Sequence, residues 1–456
     1  MTEHTADIVI LGGGSGGYAA ALRAAELGKR VILIEKDRLG GTCLHRGCIP
    51  TKALLHAAEV AEHVKDAGAV GVLASFSGID PAAVTAYREG IVAKKFKGLE
   101  GLVKARGITV VAGEGRLLAD RGVAVGEDVY RGADVILATG SYSRSLPGLE
   151  IGGRILTSEQ ALALDEIPSR VVILGGGVIG VEFASVWRSF GADVTIVEAL
   201  DHLVPNEDLT SSKTLERAFR KRGIASRLGV RFAQATQTDA GVTVTLEDGA
   251  QIEADYLLVA VGRGPATANL GFEEAGVTLE RGFVTVDAAL RTTVEHVWAV
   301  GDIVPGLQLA HRGFQQGIFV AEQIAGLTPV PVDENTIPRV TYSSPEVASV
   351  GLTETQARDL HPDAVVAYEY NLAGNGKSEI IGTSGIVKVI RAKDGPVLGV
   401  HMVGDRVGEL ITEGQLAVAW EAHPEDIAPL IHAHPTQSEA LGEAFLALAG
   451  KPLHAL

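Results

Sequence analysis

The sequence predicts an α/β protein with two open, mostly parallel sheets, followed by a C-terminal α+β unit. Residues 6–37 and residues 170–201 repeat one pattern: an apolar run, a glycine-rich turn, a helical stretch, a second apolar run and a glutamate. After residue 336 the pattern changes to alternating apolar and polar residues with short turns, such as KDGP at 393–396. That texture is typical of an antiparallel sheet with helices on one face.

The turn in each copy is a G-x-G-x-x-G motif. Its glycines are Gly12, Gly14 and Gly17 in the first copy and Gly175, Gly177 and Gly180 in the second. The first glycine permits a tight turn, the second lets the backbone approach a pyrophosphate, and the third lets helix and strand pack closely. The pyrophosphate then lies at a helix N-terminus, where unpaired N–H groups favour negative charge.

An acidic residue follows each motif at the end of the second strand. Glu35 and Glu198 hold these positions, where a carboxylate accepts hydrogen bonds from the hydroxyls of a ribose. One such motif would be a weak signal in a chain with 56 glycines, but here strand, turn, helix, strand and acid occur twice in register. The sequence therefore predicts two Rossmann-like dinucleotide-binding domains.

Three further apolar runs fit this architecture. DVILATGS (134–141) and DYLLVAVGR (255–263) are predicted return strands beside the two dinucleotides. HVWAVGD (296–302) is predicted to be another buried strand, ending at Asp302. Ligands of open α/β sheets bind at the carboxyl ends of the strands, so Asp302 is a candidate ligand contact, with a simple helix cap as the alternative.

The chain has only two cysteines, and both lie in GGTCLHRGCIPTK, residues 40–52, which we call the cysteine segment. Cys43 and Cys48 are interpreted as a redox pair, with two buried small apolar residues as the alternative. A regular helix would place their Cα atoms about 8–9 Å apart. A disulfide tolerates about 7 Å at most. We therefore expect the helix to be broken at the pair, where Gly47 and Pro50 allow it.

Composition excludes several classes of protein. A net charge of −16 argues against nucleic acid as a partner, because affinity there comes from lysines and arginines that neutralise phosphates. No apolar run is long enough for a membrane span, and no metal site is predicted. The N-terminal stretch MTEHTADIVILGGG lacks the features of a secretory signal, so we expect a cytoplasmic protein. In that compartment a disulfide is more often catalytic than structural.

From end to end, the chain resembles the pyridine nucleotide–disulphide oxidoreductases. The resemblance rests on GGGSGG, GGTCLHRGCIPTK, LATGS, GGGVIGVE, AVGRGP, AVGD and HAHPTQSE in this order. It implies FAD on the first glycine turn, a nicotinamide nucleotide on the second, and a C-terminal α+β dimerisation domain that forms a homodimer. The implied domains are an FAD-binding domain (1–147), an NAD-binding domain (148–265), the second, central part of the FAD-binding domain (266–336) and an interface domain (337–456).

The resemblance also assigns cofactor contacts. Glu35 would hold the adenosine ribose of FAD and Asp302 its ribityl chain. Lys52 would lie near the flavin N5 with Glu182 as its ion-pair partner, although a surface lysine is the alternative without the motif. The remaining implied contacts are Gly115, Thr139, Gly140, Ser141, Gln308, Ala310 and His311 for FAD, and Glu182, Glu198 and Gly262 on the nicotinamide side.

The implied catalytic residues come from two distant motifs. Cys43 would be the thiol that exchanges with the substrate, and Cys48 the thiolate that lies against the flavin. A base is needed because the thiolate is the nucleophile, and His434 of HAHPTQSE matches it. Glu439 would orient the His434 imidazole, whereas His432 is interpreted as structural. In a homodimer we expect His434 to serve the cysteines of the other subunit.

Within the family, the motifs most resemble the members that oxidise protein-bound dihydrolipoamide with NAD. The absence of further cysteines argues against mercuric reductases and large thioredoxin reductases, and the presence of two argues against single-cysteine NADH oxidases and coenzyme A disulfide reductases. Glu198 lies where NADPH-dependent glutathione and trypanothione reductases typically carry arginines. A glutathione- or mycothione-like reductase and a non-catalytic flavoprotein scaffold remain the alternatives.

Two further expectations concern the partner and the redox potential. The chain has no lipoyl domain of its own, so the expected partner is a lipoyl-bearing acyltransferase of a 2-oxoacid dehydrogenase complex. Many relatives carry Asn and a small residue between the cysteines, whereas this chain has His45 and Arg46 there. We expect this titratable pair to shift the redox potential of the disulfide.

Overall fold

The computed structural model describes residues 2–454. Its strands are β1 (Glu3–Leu11), β2 (Val31–Glu35), β3 (Thr109–Ala112), β4 (Arg116–Leu117), β5 (Val123–Val125), β6 (Asp128–Leu137), β7 (Ser141–Ser143), β8 (Ile155–Leu156), β9 (Arg170–Leu174), β10 (Asp193–Glu198), β11 (Ala225–Leu228), β12 (Phe232–Thr238), β13 (Gly241–Leu246), β14 (Gln251–Ala254), β15 (Tyr256–Val259), β16 (Arg263–Pro265), β17 (Leu279–Glu280), β18 (Phe283–Val284), β19 (Val297–Ala299), β20 (Arg339–Thr341), β21 (Glu346–Gly351), β22 (Val365–Asn371), β23 (Ile386–Ala392) and β24 (Val397–Gly404).

The α-helices of the same residues are α1 (Ser15–Glu26), α2 (Gly41–Arg46), α3 (Cys48–Asp66), α4 (Pro81–Ala105), α5 (Ser158–Leu162), α6 (Val178–Phe190), α7 (Leu209–Lys221), α8 (Ala310–Ile324), α9 (Glu354–Leu360), α10 (Gly376–Ile381), α11 (Val407–Ala419), α12 (Pro424–Ile427) and α13 (Glu439–Leu448). The chain divides into two compact units. The first unit comprises Met1–Ala53, Ala82–Arg144 and Arg263–Glu334, and the second comprises Leu54–Pro81, Ser145–Gly262 and Asn335–Leu456.

The first unit is built on one large sheet. Its strand order is β3-β2-β1-β6-β5-β4, with β19 paired to β6. The strands β3, β2, β1, β6 and β19 run parallel, while β5 and β4 extend the sheet antiparallel. Ile8, Val9 and Ile10 are fully buried in succession, because helices and loops cover both faces of the parallel part. The carboxyl ends of its parallel strands all meet at one edge.

The second unit contains a parallel sheet of the same kind. Its order is β11-β10-β9-β15-β8, and α6 connects β9 to β10 as α1 connects β1 to β2. A separate antiparallel sheet, β12-β13-β14, lies between β11 and β15 in the sequence, and its inward side chains join the core beside β9 and β15. This small sheet was not predicted.

The C-terminal part of the second unit is a five-stranded antiparallel sheet of order β20-β21-β24-β23-β22. The predicted turn KDGP joins β23 to β24. The expectation of helices on one face only is wrong, since β23 is buried along nearly its whole length. Lys388 in β23 is 5% exposed and pairs with Asp208 and Glu354 at 2.8 Å each, so the starts of α7 and α9 cover the second face.

The predicted fold class is confirmed: two parallel α/β sheets precede an antiparallel α+β part. The domain boundaries stay predictions. No helix in the described part of the chain has the length and apolar character needed to cross a membrane.

Candidate active site

The first glycine turn joins β1 to α1. Gly12 has φ +106°, a left-handed value, and a Cβ added there would overlap the carbonyl of Ala138. A Cβ added to Gly17 would overlap the carbonyl of Gly12, whereas one added to Gly14 would meet only Gly41 Cα at 4.0 Å. The first and third glycines are therefore required by the protein itself, and the middle one leaves room for a ligand. Gly14 is also the N-cap of α1, and because it has no side chain, no side-chain hydrogen bond caps the start of this helix.

Glu35 ends β2 and turns back toward this loop. Its Oε2 accepts a hydrogen bond from Gly13 N at 2.6 Å, and its Oε1 accepts one from Asp37 N at 2.9 Å. The sequence predicted a ribose contact for this carboxylate but not these backbone contacts. Each carboxylate oxygen has a second lone pair, so a clamp on the turn is compatible with accepting hydrogen bonds from a ribose.

The ends of β6 and β19 bring four predicted FAD residues together. Thr139 Oγ1 donates to Ala266 O at 2.6 Å, and Gly140 has φ +75°. Ser141 Oγ donates to Asp302 Oδ2 at 2.5 Å. Asp302 lies in a 3₁₀ turn (Gly301–Ile303) after β19 rather than on the strand itself. Its carboxylate is thus held in place at the carboxyl edge of the sheet.

Arg263, the arginine of AVGRGP, makes contacts that the sequence patterns did not predict. Its Nε donates to Ser141 Oγ at 2.7 Å and its Nη2 to Ser141 O at 2.8 Å. Arg263 begins β16, which pairs with β7 at Ser143. The guanidinium therefore fixes the serine that holds Asp302, a relation between distant segments that no local pattern reveals.

Other predicted FAD residues surround this edge. Gln308 Nε2 donates to Asp302 O at 3.3 Å. Ala310 is the first residue of α8, and His311, the second, is exposed. Gly115 is buried, and a Cβ there would meet Leu11 Cδ1 at 2.5 Å. The close packing explains glycine at that position.

The second turn, between β9 and α6, repeats the first. Gly175 has φ +105°, and a Cβ there would overlap the carbonyl of Ala260. A Cβ on Gly180 would overlap the carbonyl of Gly175, but one on Gly177 would find no atom within 4 Å. Gly177 is the N-cap of α6, and because it has no side chain, no side-chain hydrogen bond caps the start of this helix. The backbone N–H groups of this helix start are therefore suited to a pyrophosphate.

Glu198 also repeats its counterpart. Its Oε2 accepts from Gly176 N at 2.6 Å and its Oε1 from Leu200 N at 2.9 Å. Gly262, predicted to line the nicotinamide site, has φ +103° and open space where a Cβ would lie. Glu182 of α6 is 3% exposed, and its Oε1 accepts a hydrogen bond from Tyr342 N at 3.0 Å. Its pairing with Lys52 stays a prediction.

The cysteine segment is broken between the two cysteines, as the disulfide distance limit predicts. Cys43 lies in the middle of α2, which ends at Arg46, and Cys48 is the first residue of α3. Gly47 separates the helices with φ −144° and ψ −107°, while Pro50 is part of the first turn of α3. Thr51 reinforces the new helix, since its N and Oγ1 both donate to Gly47 O at 3.0 and 2.7 Å.

The two thiols differ in their electrostatics. A hydrogen bond with Cys48, then burial, then the charge of Cys48 raise the pKa of Cys43 well above its usual range, and Lys52 opposes this. Cys48 lies at the N-terminus of a helix of 19 residues, where unpaired N–H groups and the dipole stabilise a thiolate. Both observations favour the predicted roles, Cys48 as the thiolate and Cys43 as the thiol, and this assignment stays a prediction.

Tyr18 is a neighbour of the cysteines that the sequence did not predict. Burial, followed by the nearby Cys43 and Cys48, raises its pKa to about 12, and its ring lies 5.5 Å from that of Phe314. The phenol remains protonated at physiological pH. Its position directly after GGGSGG was the available signal, but an electrostatic interaction with a later segment of the chain depends on the tertiary fold.

The predicted base and its orienting carboxylate lie together in the second unit. His434 Nδ1 is 2.9 Å from Glu439 Oε1, and Thr436 N donates to Glu439 Oε2 at 2.8 Å. Burial opposes ionisation of Glu439, but the hydrogen bonds from Thr436 and His434 outweigh it and lower the pKa of that carboxyl. The imidazole of His434 is 79% exposed in the single chain.

His432, interpreted as structural, has a partner of its own. Its Nε2 is 2.7 Å from Glu413 Oε1, and this hydrogen bond raises the pKa of His432. The imidazole is 14% exposed and thus serves the packing of the loop that carries His434.

Two family models match the chain. The model described as pyridine nucleotide-disulphide oxidoreductase matches residues 6–317, and the dimerisation domain of the same family matches residues 337–445. The second match supports a homodimer.

Individual proteins match over nearly their whole length. A dihydrolipoyl dehydrogenase of Bacillus subtilis (strain 168) is 40% identical over a 474-residue alignment that covers 99% of each chain. Among solved structures, LpdA from Mycobacterium tuberculosis superimposes with a TM-score of 0.89 at 30% identity, covering 98% of this chain and 100% of that one. The HOCl-induced flavoprotein disulfide reductase RclA from Escherichia coli gives a TM-score of 0.86 at 28% identity, with 96% and 99% covered.

Proposed function

Because the chain belongs to the pyridine nucleotide–disulphide oxidoreductases, we propose that it catalyses the oxidation of protein-bound dihydrolipoamide by NAD. The observation that carries the proposal is the Cys43–Cys48 pair. It lies at a helix break, with one thiol half-buried and hydrogen-bonded to the other, which lies at a helix N-terminus. That asymmetry suits a disulfide that is opened by a substrate thiol and closed again in each turnover.

FAD and NAD are the cofactors of this enzyme. Both glycine turns fit a dinucleotide. A Cβ on either middle glycine would meet no protein atom closer than 4.0 Å, and the carboxylates of Glu35 and Glu198 lie at the strand ends where ribose hydroxyls bind. Asp302, held by Ser141, is proposed to bind the ribityl chain of FAD. When bound, the two cofactors supply the transfer of two electrons from the dithiol to NAD.

In the proposed reaction, one thiol of dihydrolipoamide attacks the sulfur of Cys43 in the disulfide. Its proton passes to Nε2 of His434, whose Nδ1 side is held by Glu439. Cys48 leaves as a thiolate that the N-terminus of α3 stabilises. The second substrate thiol then attacks the substrate sulfur of the mixed disulfide, which forms lipoamide, and the proton of this second thiol goes to the Cys43 sulfur, which leaves as a thiol.

We propose the cofactor-binding and catalytic residues, and the four domain ranges, that the sequence predicts. Lys52 is proposed to pair with Glu182 near the flavin, and the interface domain to begin at residue 337. The lipoyl group is proposed to arrive on an acyltransferase of a 2-oxoacid dehydrogenase complex, a partner that the similarity to a dihydrolipoyl dehydrogenase supports. A cytoplasmic location is proposed because a catalytic disulfide operates in a reducing compartment.

Each active site is proposed to combine the cysteines of one subunit with His434 of the partner subunit. The exposure of His434 in the single chain supports this arrangement. Mixing inactive Cys48→Ser protein with inactive His434→Gln protein should then restore activity through heterodimers. No recovery, with subunit exchange verified by mass, would contradict a shared site.

The function itself is tested by comparing substrates. Reduction rates of lipoamide, oxidised glutathione and mycothione are measured with NADH and with NADPH. We expect lipoamide with NADH to give the highest kcat/KM. A higher value for a small disulfide would favour the reductase alternative, and a thiol titration that finds no reversible pair would favour a scaffold.

A further inference from the structure

Two side chains between the cysteines tie α2 back to the loop before it. His45 Nε2 lies 2.8 Å from Leu39 O in a part-buried contact. Arg46 Nη2 donates to Asp37 Oδ2 at 2.6 Å, but these two side chains are 46% and 47% exposed. The ties therefore act on the same short helix from different environments, one sheltered and one in solvent.

The surroundings of His45 show that its contact is specific. A carbonyl oxygen only accepts, so Nε2 carries the hydrogen that it donates to Leu39. The ring stands edge-on to Phe96, with centroids 5.1 Å apart and an interplanar angle of 73°. Its Nδ1 is buried and has no hydrogen-bond partner among the described residues. A buried polar atom left unpaired costs stability, so the imidazole is not explained by packing alone.

The helix that His45 holds has little stability of its own. The α2 helix is only six residues long, and helices of that length do not persist without tertiary contacts. Gly40 precedes it and Gly41 is its first residue, and their φ values of +102° and +58° let the chain turn sharply into the helix. Cys43 lies in this helix, two residues before His45. The Leu39–His45 hydrogen bond therefore closes a loop around Cys43.

We propose that His45 is a positioning residue that holds Cys43 beside Cys48 while their disulfide is open. The inference rests on the proposed redox role of the two cysteines. Without the hydrogen bond, α2 gains conformational freedom in the dithiol form, whereas the covalent bond restrains it in the disulfide form. Freedom gained by the open form alone shifts the equilibrium toward the dithiol.

The test measures that equilibrium in the FAD-loaded protein. The protein is equilibrated without oxygen in buffers of reduced and oxidised glutathione, where two glutathione thiols are oxidised to one disulfide as Cys43–Cys48 is reduced. Alkylation and intact mass then give the fraction of chains with two free thiols. The variants are His45→Leu, which removes the donor, His45→Gln, whose Nε2 keeps a donor at the same position, and Arg46→Gln as the matched control.

A neutral hydrogen bond shifts an equilibrium by about three- to tenfold. We expect His45→Leu to favour the dithiol by that factor, which is about 30 mV at most for a two-electron couple. His45→Gln should return most of the shift. Arg46→Gln should stay within about twofold of wild type, because exposed ion pairs contribute little, so of the two residues expected to shift the redox potential only His45 should do so. Visible flavin absorbance and the melting temperature report folding.

An unchanged equilibrium in a well-folded His45→Leu protein would overturn the inference, as would an equal shift in Arg46→Gln. If the leucine variant loses flavin, His45→Asn replaces it, since its shorter amide does not reach Leu39. A wild-type protein without a reversible thiol pair would instead contradict the proposed function. The two failures are therefore distinguishable.

Discussion

The glycine turn after β1 and the glycine turn after β9 have the same geometry but different neighbours. Gly12 and Gly175 have φ values of +106° and +105°. The second glycine of each GGG run donates to the glutamate at the end of the next strand at 2.6 Å in both cases. The same local backbone geometry therefore occurs twice. We call each glycine turn, together with the glutamate that accepts its hydrogen bond, a dinucleotide cradle.

The segments after β2 and β10 differ. In the first copy, Gly40 N donates to Gly13 O at 2.8 Å and leads into α2, so that Gly41 lies against Gly14. In the second copy, Val204 N donates to Gly176 O at the same distance, but Gly177 faces open space. Each cradle accounts for the binding of one nucleotide. The cysteine segment lies beside the first cradle and accounts for the dithiol chemistry.

Of the variants proposed, His434→Gln should separate most sharply the reaction of the cysteines with dihydrolipoamide from the reaction of NADH at the second cradle. A positioned general base contributes about 10²–10⁴-fold, so turnover with dihydrolipoamide should fall by that factor. Reduction of bound flavin by NADH, which uses the second cradle, should keep its wild-type rate. Stopped-flow absorbance measures both. An equal fall in the NADH step would place His434 in the wrong half of the reaction.

Gly180→Ala should break the second cradle alone. Its methyl group would overlap the Gly175 carbonyl, and overpacking of this kind costs about 1–3 kcal/mol. We expect NAD-dependent turnover to fall by about ten- to 100-fold, with FAD content and reduction of the cysteines by dihydrolipoamide unchanged.

Gly177→Ala is the matched control for that variant. Its methyl group meets no protein atom within 4 Å, so it should leave the melting temperature unchanged and raise only the KM for NAD. Loss of FAD from Gly180→Ala would contradict the independence of the two cradles.

A smaller effect, on the preference for NAD over NADP, is expected from replacing Glu198, with Glu35 as the control. The 2′-phosphate of NADP would meet the Glu198 carboxylate, and two unit charges at 4 Å repel by about 4 kcal/mol at an effective dielectric near 20. Even half of that predicts a preference for NAD of about 30-fold. Glu198→Gln should reduce the preference while keeping one acceptor for Gly176 N, and Glu35→Gln should leave it unchanged. The ratio of kcat/KM for NAD and NADP decides, and an unchanged ratio in Glu198→Gln would reject the assignment.

Local patterns were enough to predict both cradles, because each depends on glycines within a few residues of one another and on a strand end. The break at Gly47 was predictable from the reach of a disulfide. The contacts of Arg263 with Ser141 and of His45 with Phe96 were not predictable, and neither was the electrostatic effect of the cysteines on Tyr18, because each joins residues far apart in sequence. The buried second face of β23 was missed for the same reason: the partners of Lys388 lie in other elements.

The most direct test of the whole account is the stoichiometry of one turnover without oxygen. The FAD-loaded protein is mixed with dihydrolipoamide, separated from it, and then given NAD. We predict two alkylatable thiols per chain, at Cys43 and Cys48, after the first step, and then one NADH formed per chain as both thiols disappear. No new thiols after dihydrolipoamide, or thiols that persist while no NADH forms, would contradict the assignment of the dithiol chemistry to the first cradle and of NAD to the second.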